Sequence, residues 1–229
     1  MPFNGPIIIA AAGIGSRLGQ GRPKALLNIG GRTVIERLLT GCLKDEKDIR
    51  IVVGFQEQDL IDHVKEIRRD VIYVRNPDYR DGSTRRSFAL AAQAVKQPLI
   101  MMDGDLLVAA DSWRAFADRA AKVSAQGASS AERSLIGVTP VNSTDAVFVR
   151  TSGEGAEMKV EGFTRKEPQK YEWASIACLD SSAFTANTNY VFECLEPYLP
   201  LPAFSLNIAE IDTPADLAAA QEWLKKNGG

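Results

Sequence analysis

Histidine is nearly missing from this sequence: His63 is the only one in 229 residues. A histidine-based triad or a histidine-ligated zinc site is therefore not expected, and His63, on an amphipathic stretch, reads as a surface or boundary residue. Cysteine is scarce as well. Cys42, Cys178 and Cys194 are an odd, scattered set without CxxC spacing, which reads as reduced core thiols of a cytoplasmic protein. No apolar run approaches the length of a membrane span, and the N-terminal stretch lacks the basic-then-apolar pattern of a secretory signal. The formal net charge is only −2, which offers no nucleic-acid surface and no polybasic membrane anchor. The hydrophobic and charged fractions, 45% and 24%, are those of a soluble globular protein. A chain of 229 residues without linker, internal repeat or low-complexity tract suits one domain with a sizeable core.

What is present is concentrated in the first thirty residues. Residues 7–12 form a short apolar run ending in three alanines, and Gly13-Ile14-Gly15-Ser16-Arg17-Leu18-Gly19 follows, then Arg22-Pro23-Lys24-Ala25-Leu26-Leu27. A buried strand thus enters a glycine-rich loop. Its glycines permit unusual backbone angles and close ligand approach, and its N–H groups can form an anion cradle. Arg17 and Lys24 add two cations, which suits a polyphosphate. The loop is not a P-loop, because the lysine follows proline. Nor is it the dinucleotide fingerprint, since Gly13, Gly15 and Gly19 miss that spacing by one and Pro23 opposes an immediate helix. An ordinary strand-to-helix turn with two solvated cations is the alternative reading of the GxG alone.

The longer pattern is more specific. Ala11-Ala12-Gly13-Ile14-Gly15-Ser16-Arg17-Leu18-Gly19, then Pro23-Lys24-Ala25-Leu26-Leu27 and Gly30-Gly31-Arg32-Thr33-Val34-Ile35-Glu36, closely resembles the signature of the nucleotidyltransferase superfamily. That group includes sugar-phosphate nucleotidyltransferases, phosphocholine and methylerythritol-phosphate cytidylyltransferases and the molybdenum-cofactor guanylyltransferase. The resemblance implies an α/β, Rossmann-like three-layer sandwich of the glycosyltransferase-A type, with a mostly parallel mixed sheet and a small antiparallel substrate lobe. It also implies a metal-dependent reaction. A single domain over 1–229 is expected, with a nucleotide-binding half at 1–124, an acceptor-substrate lobe at about 125–190, and a closing strand and helix at 204–229.

Periodicity places strands at 49–54, 71–75, 98–102, 135–140, 145–150, 158–163, 174–179 and 206–212. Helices are expected after Thr33, whose spacing to Glu36 is that of a capping box. Others are expected around Leu60, Ile61, Val64 and Ile67, over 84–95, from an Asp111 cap to about Val123, over 190–198, and from Thr213 and Pro214 onward. The opening strand–helix rhythm predicts parallel pairing. The turn-rich 76–83 segment leads into a helix start carrying Ser83, Arg85, Arg86 and Ser87. A glycine followed by Arg and Ser at a helix start resembles the cytosine-holding segment of cytidylyltransferases, so Ser83 and Ser87 are assigned base contacts. A capped helix with surface arginines is the alternative.

Asp103-Gly104-Asp105 closes the fourth strand, and magnesium takes oxygen ligands from one or two carboxylates plus phosphate oxygens. The triplet resembles the Asp-x-Asp element of sugar-phosphate and phosphocholine nucleotidyltransferases. That resemblance makes Asp105 the main ligand, with Asp103 beside it at the nucleotide. Glu210-Ile211-Asp212-Thr213-Pro214 looks like the second acidic element of the same enzymes, which adds Asp212 and Glu210. The triplet departs from the corresponding elements of the methylerythritol-phosphate and molybdenum-cofactor enzymes, which argues against both. Residues 165–173 combine cations, an acid and aromatics. Lys166 is read as holding an acceptor phosphate, with Tyr171 and Trp173 facing its organic end and Glu172 available to an ammonium. An exposed loop and a core Trp173 are the alternatives.

The expectation is nucleotidyl transfer, most simply of CMP from CTP, to a small phosphate or phosphonate such as phosphocholine or an aminoalkylphosphonate, with release of pyrophosphate. Ala11, Ala12, Gly13, Gly15 and Ser16 would hold the nucleotide, Arg17 the leaving phosphates and Lys24 the α-phosphate, with Mg2+ as cofactor. A sugar-1-phosphate nucleotidyltransferase and a non-catalytic nucleotide sensor are the alternatives. The expected partners are the nucleoside triphosphate and the acceptor, without nucleic acid or membrane; a homodimer is left open.

Overall fold

The computed structural model describes residues 3–19, 21–80, 83–143, 145–185 and 188–227. Its sheet is organised on β1 (Ile7–Ala10), an apolar strand buried on both faces, as parallel strands between helical layers are. The chain then makes a small hairpin of β2 (Asn28–Ile29) and β3 (Arg32–Thr33). Its two-residue turn is Gly30-Gly31, both left-handed at φ 59° and 86°, as the tight hairpin turn with positive φ at both positions demands. Thr33 caps α1 (Val34–Arg37), its hydroxyl accepting from the Glu36 N–H at 3.2 Å, and a wider turn continues to Cys42. His63 reaches the same Thr33 hydroxyl at 2.8 Å, a boundary position as expected. β4 (Ile49–Val53), α2 (Glu57–Ile67), β5 (Val71–Arg75), α3 (Thr84–Ala91) and β6 (Leu99–Asp103) complete the parallel part.

β7 (Leu106–Val108) and α4 (Ala110–Gln126) follow. Then come β8 (Leu135–Pro140), β9 (Phe148–Ser152), β10 (Lys159–Thr164), β11 (Tyr171–Leu179), β12 (Leu201–Ser205), β13 (Ile208–Glu210) and α5 (Pro214–Asn227). The nine-stranded sheet runs β5-β4-β1-β6-β11-β8-β12-β10-β9. β5, β4, β1 and β6 are mutually parallel, whereas β11 enters antiparallel to β6. β9 also pairs with the start of β11, so the pairing path closes on itself beyond β11. The α/β sandwich with a mixed sheet is thus the fold observed.

Alternation along β1 divides the core. Ile7 and Ile9 pack with Ile35, Leu60, Val64 and Phe116 on one face; Ile8 packs with Phe88 and Ala91 on the other. Burying one such side chain contributes about 1.5–3 kcal/mol. From β1 the chain moves outward to β4 and β5, then returns to β6 on the opposite side. Strand order therefore reverses at β1, and a crevice opens at the carboxyl ends of β1 and β6, where ligands of open α/β sheets bind.

Several elements differ from expectation. Ala109, not Asp111, is the N-cap of α4; Asp111 lies in the first turn, where its charge suits the helix dipole, and pairs with Arg114 at 3.1 Å. The helix expected over 190–198 is two separate 3-10 turns, Phe192–Cys194 and Glu196–Tyr198, because Pro197 cannot donate to a continuous ladder. α3 stops at Ala91, and Ala94 adopts φ 63°. The strand expected over 206–212 shortens to β13, antiparallel to β7. Among the described residues no helix is long and apolar enough to cross a membrane.

Candidate active site

The glycine-rich loop leaves β1 at the switch point. Gly15 and Gly19 are left-handed, at φ 67° and 66°. Gly13 is not, and a Cβ there would meet nothing within 4 Å, so its role is an open approach rather than a backbone angle. Gly104 is tighter. Its N–H donates to the Ala10 carbonyl at 2.9 Å, and a Cβ would lie 2.8 Å from that oxygen. The glycine between Asp103 and Asp105 thus clamps both acids against the end of β1.

The far acids arrive by strand pairing. Glu210 faces Leu106 across β13 and β7, and the Ile211 N–H donates to the Asp105 carbonyl at 3.1 Å. Asp216 fastens the next turn, accepting from the Asp212 and Thr213 N–H groups at 3.1 and 2.7 Å. One carboxylate oxygen from each of Asp105, Glu210 and Asp212 lies within 4.8 Å of the others. Lys24 Nζ donates to Asp105 Oδ2 at 2.8 Å and also to Asp212, which Arg17 contacts through its other oxygen.

The electrostatics follow from this crowding. Burial opposes charge on Lys24, but Asp105 and Asp212 overcome it and raise its pKa. Burial likewise disfavours the Asp212 anion, yet Lys24 and Arg17 bring it below the usual carboxylate range. Asp103 is pushed up to about 8 by desolvation and by Asp105, and Glu210 to about 9 by desolvation and then Asp105, Asp103 and Asp212. Asp103 Oδ1 and Asp105 Oδ1 are buried without a hydrogen-bond partner. An all-oxygen set with orphaned carboxylate oxygens fits a hard divalent cation.

Two cavities meet here. The first, about 270 Å³, is lined by Ala11, Ala12, Gly13, Gly15, Ser16, Ser87, Asp103 and Asp105 among others. Sequence reasoning missed two of its walls, Asn76 and Tyr79. Asn76 is 1% exposed and donates from Nδ2 to the Ser87 hydroxyl at 3.0 Å. A lone asparagine after a strand carries no signal except its place at a carboxyl edge. Ser83 lines the second cavity rather than the first; Gly82, the glycine of the expected base-binding segment, lies outside the described residues.

The second cavity, about 560 Å³, shares Arg17, Lys24, Asp105 and Asp212 with the first. Glu172 and Trp173 line it, as do Arg165, Tyr190 and Phe192, which the sequence did not single out. Lys166 and Tyr171 do not. Lys166 is exposed, and Tyr171 borders a separate groove beneath Lys170; strand alternation turns it away from the side that Glu172 takes. Both Glu172 oxygens are occupied, by the Asn142 N–H at 3.2 Å and the Ser143 hydroxyl at 2.7 Å. This acid therefore fastens a loop at the cavity wall, with a lone pair left on each oxygen. Trp173 packs edge-on against Phe163 and is 9% exposed, so it joins the core and the cavity wall together. Cys178 and Cys194 are buried and Cys42 partly so, all free thiols; desolvation pushes Cys42 and Cys178 up to about 12.

Residues 7–162 match the model of the MobA-like NTP transferase domain. Among curated proteins, a 2-C-methyl-D-erythritol 4-phosphate cytidylyltransferase of Parasynechococcus marenigrum is 35% identical over 141 residues, 60% of this chain and 58% of that one. A CMP-5'-(3-aminopropyl)phosphonate synthase of Streptomyces rubellomurinus is 32% identical over 114 residues, covering 44% of this chain and 17% of that one. The chain thus spans well under two thirds of either relative. Among solved structures, a CTP:phosphocholine cytidylyltransferase from Streptococcus pneumoniae superposes with TM-score 0.75 at 21% identity, covering 96% of this chain and 99% of that one, which speaks to the fold. Contrary to the expectation from Asp103-Gly104-Asp105, a methylerythritol-phosphate enzyme is among the proteins this chain is similar to. The Asp103-Gly104-Asp105 departure is local, while the family match runs over residues 7–162.

Proposed function

This chain belongs to the MobA-like NTP transferase domain family, and we propose that it transfers CMP from CTP to a small phosphate or phosphonate acceptor, releasing pyrophosphate. One observation carries the reading. Arg17 and Lys24 converge with Asp105, Glu210 and Asp212 where a glycine-lined cavity meets a second one. Two substrates can therefore be held on opposite sides of one charged junction. Two relatives named for cytidylyl or CMP chemistry support CTP as the donor.

On this reading the Ala11–Gly13 backbone, Asn76 and Ser87 take the nucleoside, and the loop with Arg17 takes the phosphates. A phosphate or phosphonate oxygen of the acceptor attacks the α-phosphorus, a P–O bond forms, and the bond to the β-phosphate oxygen breaks with pyrophosphate as leaving group. The attacking oxygen is already anionic near neutral pH, so no strong general base is needed, in keeping with a site that contains no histidine. Arg17 neutralises the departing β- and γ-phosphates, and Lys24 stabilises charge at the α-phosphate. Catalysis is positioning and charge neutralisation. Asp105, Glu210 and Asp212 would hold Mg2+, which would supply Lewis-acid charge between donor and acceptor.

The test is pyrophosphate release with magnesium across CTP, UTP, TTP and GTP, each paired with phosphocholine, aminoalkylphosphonates and sugar 1-phosphates. Release that requires CTP and a non-sugar acceptor supports the proposal. Release with a sugar 1-phosphate only would replace the acceptor class. Tight nucleotide binding without release from any pair would make the domain a sensor.

A further inference from the structure

Arg165 lines the second cavity outside the cluster of Lys24, Asp105 and Asp212. Arg165 follows β10, and its guanidinium lies over two rings, 4.7 Å from the Tyr190 centroid and 5.8 Å from that of Phe192. Those rings stack on each other, 5.5 Å apart with 15° between planes, and Phe192 leans on Phe163 at 5.6 Å. The stack continues into the core through Phe163 and Trp173. Tyr190 is one of two large apolar side chains left markedly exposed among the described residues, at 50%. As a cover over a guanidinium its exposure has a reason: the ring attracts the cation while an N–H group still reaches a carboxylate.

The carboxylate belongs to Asp145. Asp145 lies 3.4 Å from Arg165 through one oxygen and 3.5 Å from Arg17 through the other. An acid is thus set between the arginine of the phosphate loop and the arginine of the second cavity. The loop bearing it is pinned by Glu172 through Asn142 and Ser143. The Asp145 and Arg17 side chains are 67% and 60% exposed, and long, solvated pairs of this kind hold weakly and are easily exchanged. A dianionic phosphoryl group, with three oxygens for a planar fork, is a better partner for Arg165 than this carboxylate.

We propose that Arg165 is the anion anchor for the acceptor's phosphate or phosphonate, and that Asp145 occupies its place in the resting protein. The assignment rests on the nucleotidyl-transfer reading and adds a residue to it. It puts the acceptor's charged end on Arg165 in the second cavity, across the junction from the donor phosphates that Arg17 holds, where its oxygen faces the donor's α-phosphate. Lys166, the neighbouring cation, has no part in it.

The probe is methylphosphonate, followed by phosphorus NMR line-broadening without magnesium, in the absence and presence of CTP. The expected result is binding to the wild type in both conditions, displaced by inorganic phosphate and not by methylammonium. Arg165→Gln weakens it about tenfold, the loss of a charge-assisted fork, and Arg165→Lys falls between. Lys166→Gln leaves it unchanged, and Asp145→Asn tightens it, because the resident competitor is gone. CTP affinity is retained in both Arg165 variants, which shows that they fold. Unchanged binding in Arg165→Gln, or a loss carried by Lys166→Gln, overturns the proposal. Displacement of methylphosphonate by CTP would assign the anchor to the donor's phosphate tail instead, and absence of methylphosphonate binding in the wild type also overturns the subsite. Failure of CTP itself to bind is a separate outcome that defeats the nucleotidyl-transfer reading.

Discussion

The ammonium of Lys24 is shared by Asp105 and Asp212, carboxylates 81 and 188 positions away in the chain. Without a substrate, the lysine assigned to the α-phosphate neutralises two of the acids assigned to the cation. On the proposed reading a divalent ion would compete with Lys24 for the same oxygens, and a bound triphosphate would relieve the competition by drawing Lys24 toward itself.

Removing that competitor has an unusual consequence. In Lys24→Gln, Mn2+ affinity measured without nucleotide, by water-proton relaxation, is expected to rise, on the order of tenfold for a partly buried charge. Turnover should fall by about 10²–10³, the cost of losing one preorganised donor to a developing charge. Weaker Mn2+ binding in the variant would show that Lys24 does not compete with the ion.

Asp105→Asn removes an acid that Gly104 clamps to β1 and whose carbonyl accepts from the Ile211 N–H just after β13. Pyrophosphate release titrated with magnesium should drop on the order of 10²–10³-fold, while CTP still binds through the loop. Full magnesium-dependent activity in this variant would remove Asp105 from the proposed ion site.

Ser87 is buried and accepts the Asn76 side-chain N–H, so its own hydroxyl proton is available to a base. Ser87→Ala should cost about 1–3 kcal/mol of stability, the penalty for leaving Asn76 unsatisfied. It should also narrow the preference for CTP over UTP in kcat/KM. A thermal shift with unchanged preference would leave Ser87 as a structural partner of Asn76.

Glu46 offers a pH signature away from the site. It is 5% exposed and accepts from the Phe3 N–H at 2.9 Å and the Trp113 indole at 3.0 Å. Burial pushes its carboxyl above the ordinary 4.5, against the hydrogen bonds from Trp113 and Phe3. The folded state therefore holds this proton more tightly than the unfolded chain. Its contribution to stability is complete below the unfolded value and is lost as pH rises through the higher folded one. Glu46→Gln removes this loss, so the wild-type Tm minus the variant Tm should decrease with rising pH across that window. A difference independent of pH would refute the shift.

Much of the site was legible because it lies in continuous stretches. Arg17 and Lys24 stand in one loop, Asp103 and Asp105 at one strand end, and Glu210 and Asp212 at another; each group announces itself by residue type beside an apolar run. The second cavity was less legible. Arg165, Tyr190 and Phe192 come from different segments and meet only through ring packing. Strand alternation and the loop's hydrogen bonds, not composition, turn Tyr171 away and occupy Glu172. The 190–198 stretch looked helical by its apolar spacing, but Pro197 broke the ladder.

By itself the sequence determined the parallel α/β half, the glycine-rich turn and the residue types of the proposed polyphosphate and cation site, since apolar periodicity and turn chemistry act over short distances. Tertiary structure alone decided that β13 would pair with β7 and carry Glu210 and Asp212 to Asp105. It also decided that Lys24 would sit between those acids, and that Arg165 rather than Lys166 would face the second cavity. Those outcomes depend on long-range strand register and on the direction a side chain takes once its strand is packed, neither of which is encoded in any single stretch of residues.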